Sequence, residues 1–137
     1  MILSARVDPL SPDPTPLMQP AHLLSILLLV RRCALATRAS EHTLFGSVVS
    51  IRLARFDEHY VPILELSGHP EHQRNVVRDR SASMLIDASR VSPGERNVWI
   101  TLVGKVAPLN GRRAVARLNI ERVKVALPHA TQWMRVS

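Results

Sequence analysis

The feature that most restricts what this chain can fold into lies between residues 43 and 66. Thr43 to Phe56 (TLFGSVVSIRLARF) is rich in β-branched residues, and in its second half Ile51, Leu53 and Phe56 are the apolar members of an alternating run. That composition and period predict a long strand half buried on one face. Asp57-Glu58-His59 reads as a turn and Tyr60 to Leu66 (YVPILEL) as the returning strand, so the segment predicts an antiparallel hairpin. Gly46 marks a candidate interruption or bulge, and Pro62 an edge or a bulge, because proline cannot donate to a ladder.

The flanking segments extend this pattern. From about Ala21, Leu24, Leu27 and Leu28 recur at helical spacing, and Arg31-Arg32 follow near the C-terminal end, where cations suit the helix dipole. Cys33 to Thr37 (CALAT) reads as a short strand, residues 69–78 as a short helix with Pro70 at its first position, Ser83 to Ala88 as a strand, and Val98 to Ala107 as another. In that last strand Gly104 predicts a close approach of backbone or ligand. Arg112 to Leu127 shows an apolar stripe of Ala116, Ile120, Val123 and Leu127, which predicts an amphipathic helix; the alternation in VKVAL keeps a strand open as the alternative. Strands that follow one another through turns, with few helices, give a mainly β fold with helices (α+β), an antiparallel sheet or small barrel.

A chain of 137 residues is one ordinary domain. Residues 8–20 (DPLSPDPTPLMQP) hold five prolines, so 1–20 is expected to be a proline-rich flexible arm and 21–137 the domain. Eighteen Lys and Arg against eleven Asp and Glu give +7, and Lys105 and Lys124 are the only lysines. Such a surface favours anionic partners, but the arginines are scattered from Arg6 to Arg135 without a basic block or an aromatic-rich strand, and no nucleic-acid partner is expected. The lone Cys33, flanked by apolar residues, excludes an intrachain disulfide and reads as a small buried hydrophobe in a reducing compartment. Leu23 to Val30 is too short to cross a bilayer, and its flanking charges run opposite to those of a signal peptide, so a cytoplasmic protein with no membrane partner is expected.

The chemistry-bearing stretch is Ser67 to Asn75 (SGHPEHQRN). A strand ending at Leu66 and a helix starting at Pro70 leave Ser67, Gly68 and His69 in the crook between them, where free N–H groups and the helix dipole can receive phosphate or carboxylate. His72, Arg74 or Asn75 could reach the same anion. The plainer alternative has Ser67 capping the helix, both histidines in solvent, and Arg74 and Arg78 paired with Glu71 and Asp79. His69 and His72 have no thiol or carboxylate to complete a metal site, and no G-x-S-x-G elbow or other catalytic triad is visible. Trp99 and Trp133 read as core or interface aromatics.

CALAT at 33–37, Gly-Ser-Val-Val at 46–49, Ser67, His72 and Asn75 as S-x4-H-x2-N, DRSASMLI at 79–86 and ITLVGKV at 100–106 occur in an order that resembles the FMN-binding split-barrel family of pyridoxamine 5'-phosphate oxidase-related proteins, in the branch with haem-utilisation proteins. The resemblance runs from about residue 20 to 135. It implies a six-stranded antiparallel split β-barrel that forms a homodimer, FMN at the subunit interface, and oxidoreductase chemistry on a small-molecule substrate without a catalytic side chain. It also implies cofactor contacts from Ser67, His72, Gln73, Arg74 and Asn75 to the phosphate or ribityl chain, and from Ser47, Val48 and Val49 along the ring; a tryptophan near the flavin remains open. The alternative is a non-catalytic flavin- or haem-binding split barrel, with His69 or His72 as the haem ligand.

The chain departs from the family pattern in three places. Ser67-Gly68-His69-Pro70 replaces the usual S-x-L-A, and His72-Gln73 lies near the place of the Arg-Lys pair of true pyridoxamine-phosphate oxidases. LPHATQW at 127–133 resembles a family helix after which a closing strand should come. The C-terminal strand is therefore expected to be missing and a sheet edge to be open.

Overall fold

The computed structural model describes residues 3–7, 18–92, 94, 96–109 and 111–136. The elements are β1 (Leu3–Val7), α1 (Pro20–Leu27), β2 (Arg32–Ser40), β3 (Thr43–Phe56), β4 (His59–Glu65), α2 (Pro70–Arg78), β5 (Ser81–Asp87), a 3-10 turn (Ala88–Arg90), β6 (Trp99–Leu109), β7 (Arg112–Ala126) and β8 (Thr131–Val136). All neighbouring strands pair antiparallel in the order β1-β8-β7-β4-β3-β2-β5-β6, and β6 returns to pair with β7. Strands β2 to β7 thus close into a six-stranded barrel. The length of β7 makes closure possible: Val115–Arg117 meet β4, Arg122–Ala126 meet β8, and β6 runs beside both segments.

The predicted hairpin is β3 and β4, turning at Asp57 with φ 55°. Pro62 lies opposite Leu53 but beyond the Ile63–Glu65 segment that β7 joins, so its missing N–H leaves no gap in that ladder. The ladder between β2 and β3 passes through Gly46 opposite Ala36 without a break, and its irregularity lies at Arg38/Ser40; no bulge occurs at Gly46.

The expected helix over Arg112 to Leu127 is instead the long strand β7. Its buried positions, Ala116 and Leu118 and then Val123 and Val125, alternate within each half. The phase changes where Val103 faces Arg122 while Gly104 faces Ile120, which leaves Glu121 as an extra residue. This bulge joins two period-2 patterns and so imitates the i, i+3, i+4 spacing of a helix. It also explains Gly104, because a Cβ there would sit 2.0 Å from the Asn119 carbonyl oxygen. The predicted close approach is made by backbone.

Leu35, Val49, Leu64, Met84, Ile100, Leu102, Leu118 and Val123 belong to one core with Leu23, Ile26 and Leu27 of α1. Each such side chain contributes roughly 1.5–3 kcal/mol through burial. The buried helix face is therefore Leu23, Ile26 and Leu27, not the predicted Leu24, Leu27 and Leu28. Arg31 follows the helix and donates from Nη1 to the carbonyls of Leu28 (3.0 Å) and Val30 (3.1 Å), satisfying acceptors that a helix end leaves open. Cys33 is buried as expected, and burial pushes its thiol up to about 12.

Residues 8–17 of the proline-rich segment lie outside the described residues, whereas Leu3–Val7 pairs with β8. Thr131–Val136, where the resemblance implies a helix, is a strand, and it covers the C-terminal half of β7. Among the described residues no helix is long and apolar enough to cross a membrane.

Candidate functional site

The crook between β4 and α2 is built differently from either sequence reading. His69 is the N-cap of α2 and caps nothing with its side chain; the Ser67 N–H donates to Glu65 Oε1 at 3.1 Å. Glu71 and Arg74 form the expected i,i+3 pair at 3.3 Å on the exposed face. Arg78 donates instead to the Ala39 carbonyl (2.7 Å) and to Asn75 Oδ1 (3.3 Å), and Asp79 takes Arg38 at 3.2 Å.

His72 and Asn75 point into the protein and are fully buried. The imidazole bridges two strands: Nδ1 lies 2.7 Å from Thr37 Oγ1 on β2, and Nε2 lies 2.7 Å from Ser47 Oγ on β3. Asn75 Nδ2 donates to the same Thr37 hydroxyl at 3.0 Å, and the Phe45 ring lies 4.9 Å from the imidazole. Burial first, and the neighbouring His69 second, hold His72 below the ordinary histidine range, with Glu71 opposing. A neutral imidazole is thus locked between hydroxyls, and no described buried side-chain polar atom is left without a partner. Gln73 is engaged as well, donating to the Leu66 carbonyl at 2.6 Å.

The eight residues expected at a cofactor therefore divide. Ser47, His72 and Asn75 come together, with Thr37 as the partner that the sequence did not mark, in an internal network that pins α2 to the barrel. Val49 belongs to the core. Val48, 59% exposed, faces outward, and Ser67 and Arg74 are exposed near α2.

A separate open concavity lies on the outer side of β3 and β4, and none of the network residues lines it. It is a groove of about 670 Å³, in the range of small-molecule and cofactor sites. Register builds it: Arg32 lies opposite Ser50, Ser50 opposite Glu65, and Glu65 opposite Val115, and all four line the groove. Arg52, one outward position beyond Ser50, and Arg31 add two more guanidinium groups, while Leu28, Ile51, Leu53 and Ile63 supply apolar walls. Three arginines beside one carboxylate favour an anionic ligand, and the walls favour one with an apolar body. The sequence marked Arg31-Arg32 as helix-end cations and did not mark Arg52; the doublet at the junction of α1 and β2 and the outward phase of Arg52 were the available signals for a site.

A second cavity of about 290 Å³ lies between α2 and the β6–β7 turn, lined in part by Gln73, Val77, Arg80 and Pro108. Among the described residues no group of three or more His, Cys, Asp or Glu is placed to hold a metal.

No family model and no curated protein matches the sequence. Solved structures do match in fold. A haem binding protein from Mycobacterium smegmatis aligns with TM-score 0.64 at 20% identity, covering 87% of this chain and 60% of that one. A protein of unknown function from Agrobacterium tumefaciens aligns at 0.59 and 18%, covering 81% and 59%. A Clostridium acetobutylicum protein of the pyridoxinephosphate oxidase family, related to general stress protein 26 of Bacillus subtilis, aligns at 0.61 and 8%, covering 85% and 93%. The chain spans about 60% of the length of the first two. The architecture anticipated from the motif order is thereby met: the chain has the fold of the pyridoxine phosphate oxidase-like split barrels.

Proposed function

We propose that this chain is a flavin-binding protein of the pyridoxamine 5'-phosphate oxidase-like class, taking FMN on the outer side of β3 and acting as a homodimer on a small-molecule substrate. The observation that carries this reading is the row Gly46, Val48, Ser50 and Arg52. These are successive outward positions on one strand, and they lead from the segment that the resemblance assigns to the ring into the groove of Arg31, Arg32 and Arg52. The donor set suits the group: guanidinium forks for a phosphate, and apolar walls for a planar body. Bound flavin would supply the redox chemistry.

In this reading the site residues have unequal roles. Arg32 and Arg52 bind the anion, Ser50 can donate a hydroxyl, and the backbone of Ser47, Val48 and Val49 lies along the ligand. Ser67, whose N–H holds the groove carboxylate of Glu65, borders it from the crook, whereas Gln73 and Arg74 do not line the groove. His72 and Asn75 act from within by fixing the position of β3 against α2. Val48 and Leu85, exposed on β3 and β5 and joined through Ala34 of β2 in one cross-strand row, favour a subunit contact on the same outer side, since exposed apolar rows mark interaction surfaces.

Fluorescence titration of FMN against the purified chain tests the proposal. Saturable quenching that weakens about tenfold or more in Arg52→Ala supports it; a colourless protein that leaves added FMN unquenched overturns it. Haem is the second reading, favoured by the likeness to the haem binding split barrel. His69, at the mouth of the crook, is its better ligand, because His72 would first have to give up two hydrogen bonds. A Soret band lost in His69→Ala would select haem over flavin.

A further inference from the structure

We propose that the cavity between α2 and the β6–β7 turn is a second small-molecule site, separate from the arginine groove, and that it takes a monocarboxylate with a compact apolar body. Gln73, Val76 and Val77 line it from α2 at i, i+3 and i+4, the spacing of one helix face, and Arg80 follows just past the helix cap. Buried Val76 and Ala116 form the floor; Val77, 59% exposed, and Pro108 form the walls. At the rim Gly111 turns with φ 73°, and a Cβ added there would meet nothing within 4 Å, so the backbone leaves the entrance open.

Arg80 is the polar end of this cavity. The neighbouring arginines are engaged: Arg74 with Glu71, Arg78 with the Ala39 carbonyl and Asn75, and Arg38 with Asp79. Among the described residues, no hydrogen bond or ion pair engages the Arg80 guanidinium. The backbone accounts for the difference. Asp79 is extended (φ −141°, ψ 114°), so its side chain and that of Arg80 leave the chain on opposite sides, and the adjacent carboxylate serves Arg38 instead. The Arg80 carbonyl accepts from the Val106 N–H at 2.8 Å, which fixes the residue against β6 beside the cavity. An anchored guanidinium thus lines a largely apolar space.

The chemistry follows from that pairing. A guanidinium fork matches the two oxygens of a carboxylate, and Gln73 adds a further donor. One Gln73 Nε2 proton goes to the Leu66 carbonyl at 2.6 Å, and the other is left for a ligand oxygen. A phosphate ester carries more charge than one guanidinium balances, whereas a monocarboxylate is matched. The volume of about 290 Å³ lies at the small end of ligand sites, so the apolar body is no larger than a single aromatic ring or a short branched chain.

Titration of benzoate into the isotope-labelled whole chain, followed by amide NMR shifts, tests the assignment. The amides of Val77, Arg80 and Gly111 should shift together and saturate, while those of Ser50 and Arg52 in the arginine groove stay in place. Benzamide has the ring without the charge, and acetate the charge without the ring; each should bind at least about tenfold more weakly. Arg80→Ala should weaken benzoate at least about tenfold, and Arg80→Lys less, because an ammonium keeps the charge and loses the fork. Arg55→Ala removes the same charge near the β3–β4 turn and should leave the affinity unchanged. Both arginines are exposed, and circular dichroism shows that each variant is folded. Absence of saturable shifts at Val77, Arg80 and Gly111 overturns the proposal, as does a response confined to the groove. Equal weakening by Arg80→Ala and Arg55→Ala overturns it too, since net charge alone would then account for the binding.

Discussion

Two regions of the barrel treat polarity in opposite ways. Around His72, polar atoms bond to one another inside the protein: Thr37 and Ser47 take the two ring nitrogens, Asn75 donates to Thr37, and no described buried side-chain polar atom lacks a partner. On the outer side of β3 and β4, Arg31, Arg32 and Arg52 line an open groove. The first region carries the residues that a motif reading selects, and the second carries the residues able to meet an anion. Motif polarity can thus serve the placement of elements, because a buried hydrogen-bonded group is costly to disturb, whereas an exposed arginine is free to exchange water for a ligand.

This contrast can be broken by substitution. His72→Ala should cost about 3 kcal/mol in urea unfolding, since it opens a cavity and strands two hydroxyls; a cost near zero would mean that the network does not hold α2. Asn75→Ala should cost about 1–2 kcal/mol by the same measurement, through the lost bond to Thr37 and the shared contact with Arg78.

A third test uses pH. His72 is held below its unfolded value, so near and below that value, about 6.5, the unfolded chain binds more protons than the folded one. The contribution of a neutral His72 is full above that value and is lost as pH falls through the depressed folded one, at no more than about 1.4 kcal/mol per pH unit. Melting temperature followed from neutral to mildly acid pH should fall in the parent and less steeply in His72→Ala. The smallest stability effect belongs to the groove: Arg52→Ala should stay within about 0.5 kcal/mol of the parent while FMN affinity drops about tenfold or more. Loss of stability without loss of affinity would reverse the roles of the two regions.

The hairpin was legible because Thr43 to Phe56 carries both β-branched composition and alternation, and DEH marks the turn. Pro70 likewise fixed the start of α2. β7 was misread for a physical reason: at Glu121 one strand changes the face it buries, and two short period-2 runs then match a helical stripe. The α1 face was displaced by one residue because almost every position from Leu23 to Val30 is apolar, which leaves periodicity little contrast.

By itself the sequence determined a mainly β chain, a long hairpin, a short proline-initiated helix and a cationic surface, because propensity, turn chemistry and charge are local properties. Only the tertiary structure decided that His72 and Asn75 face inward, that Arg31, Arg32 and Arg52 share a groove, and that Trp133 lies beneath Arg122. Those relations depend on strand register and barrel closure, which set residues from distant segments about 5 Å apart across a ladder and leave little trace in the linear order.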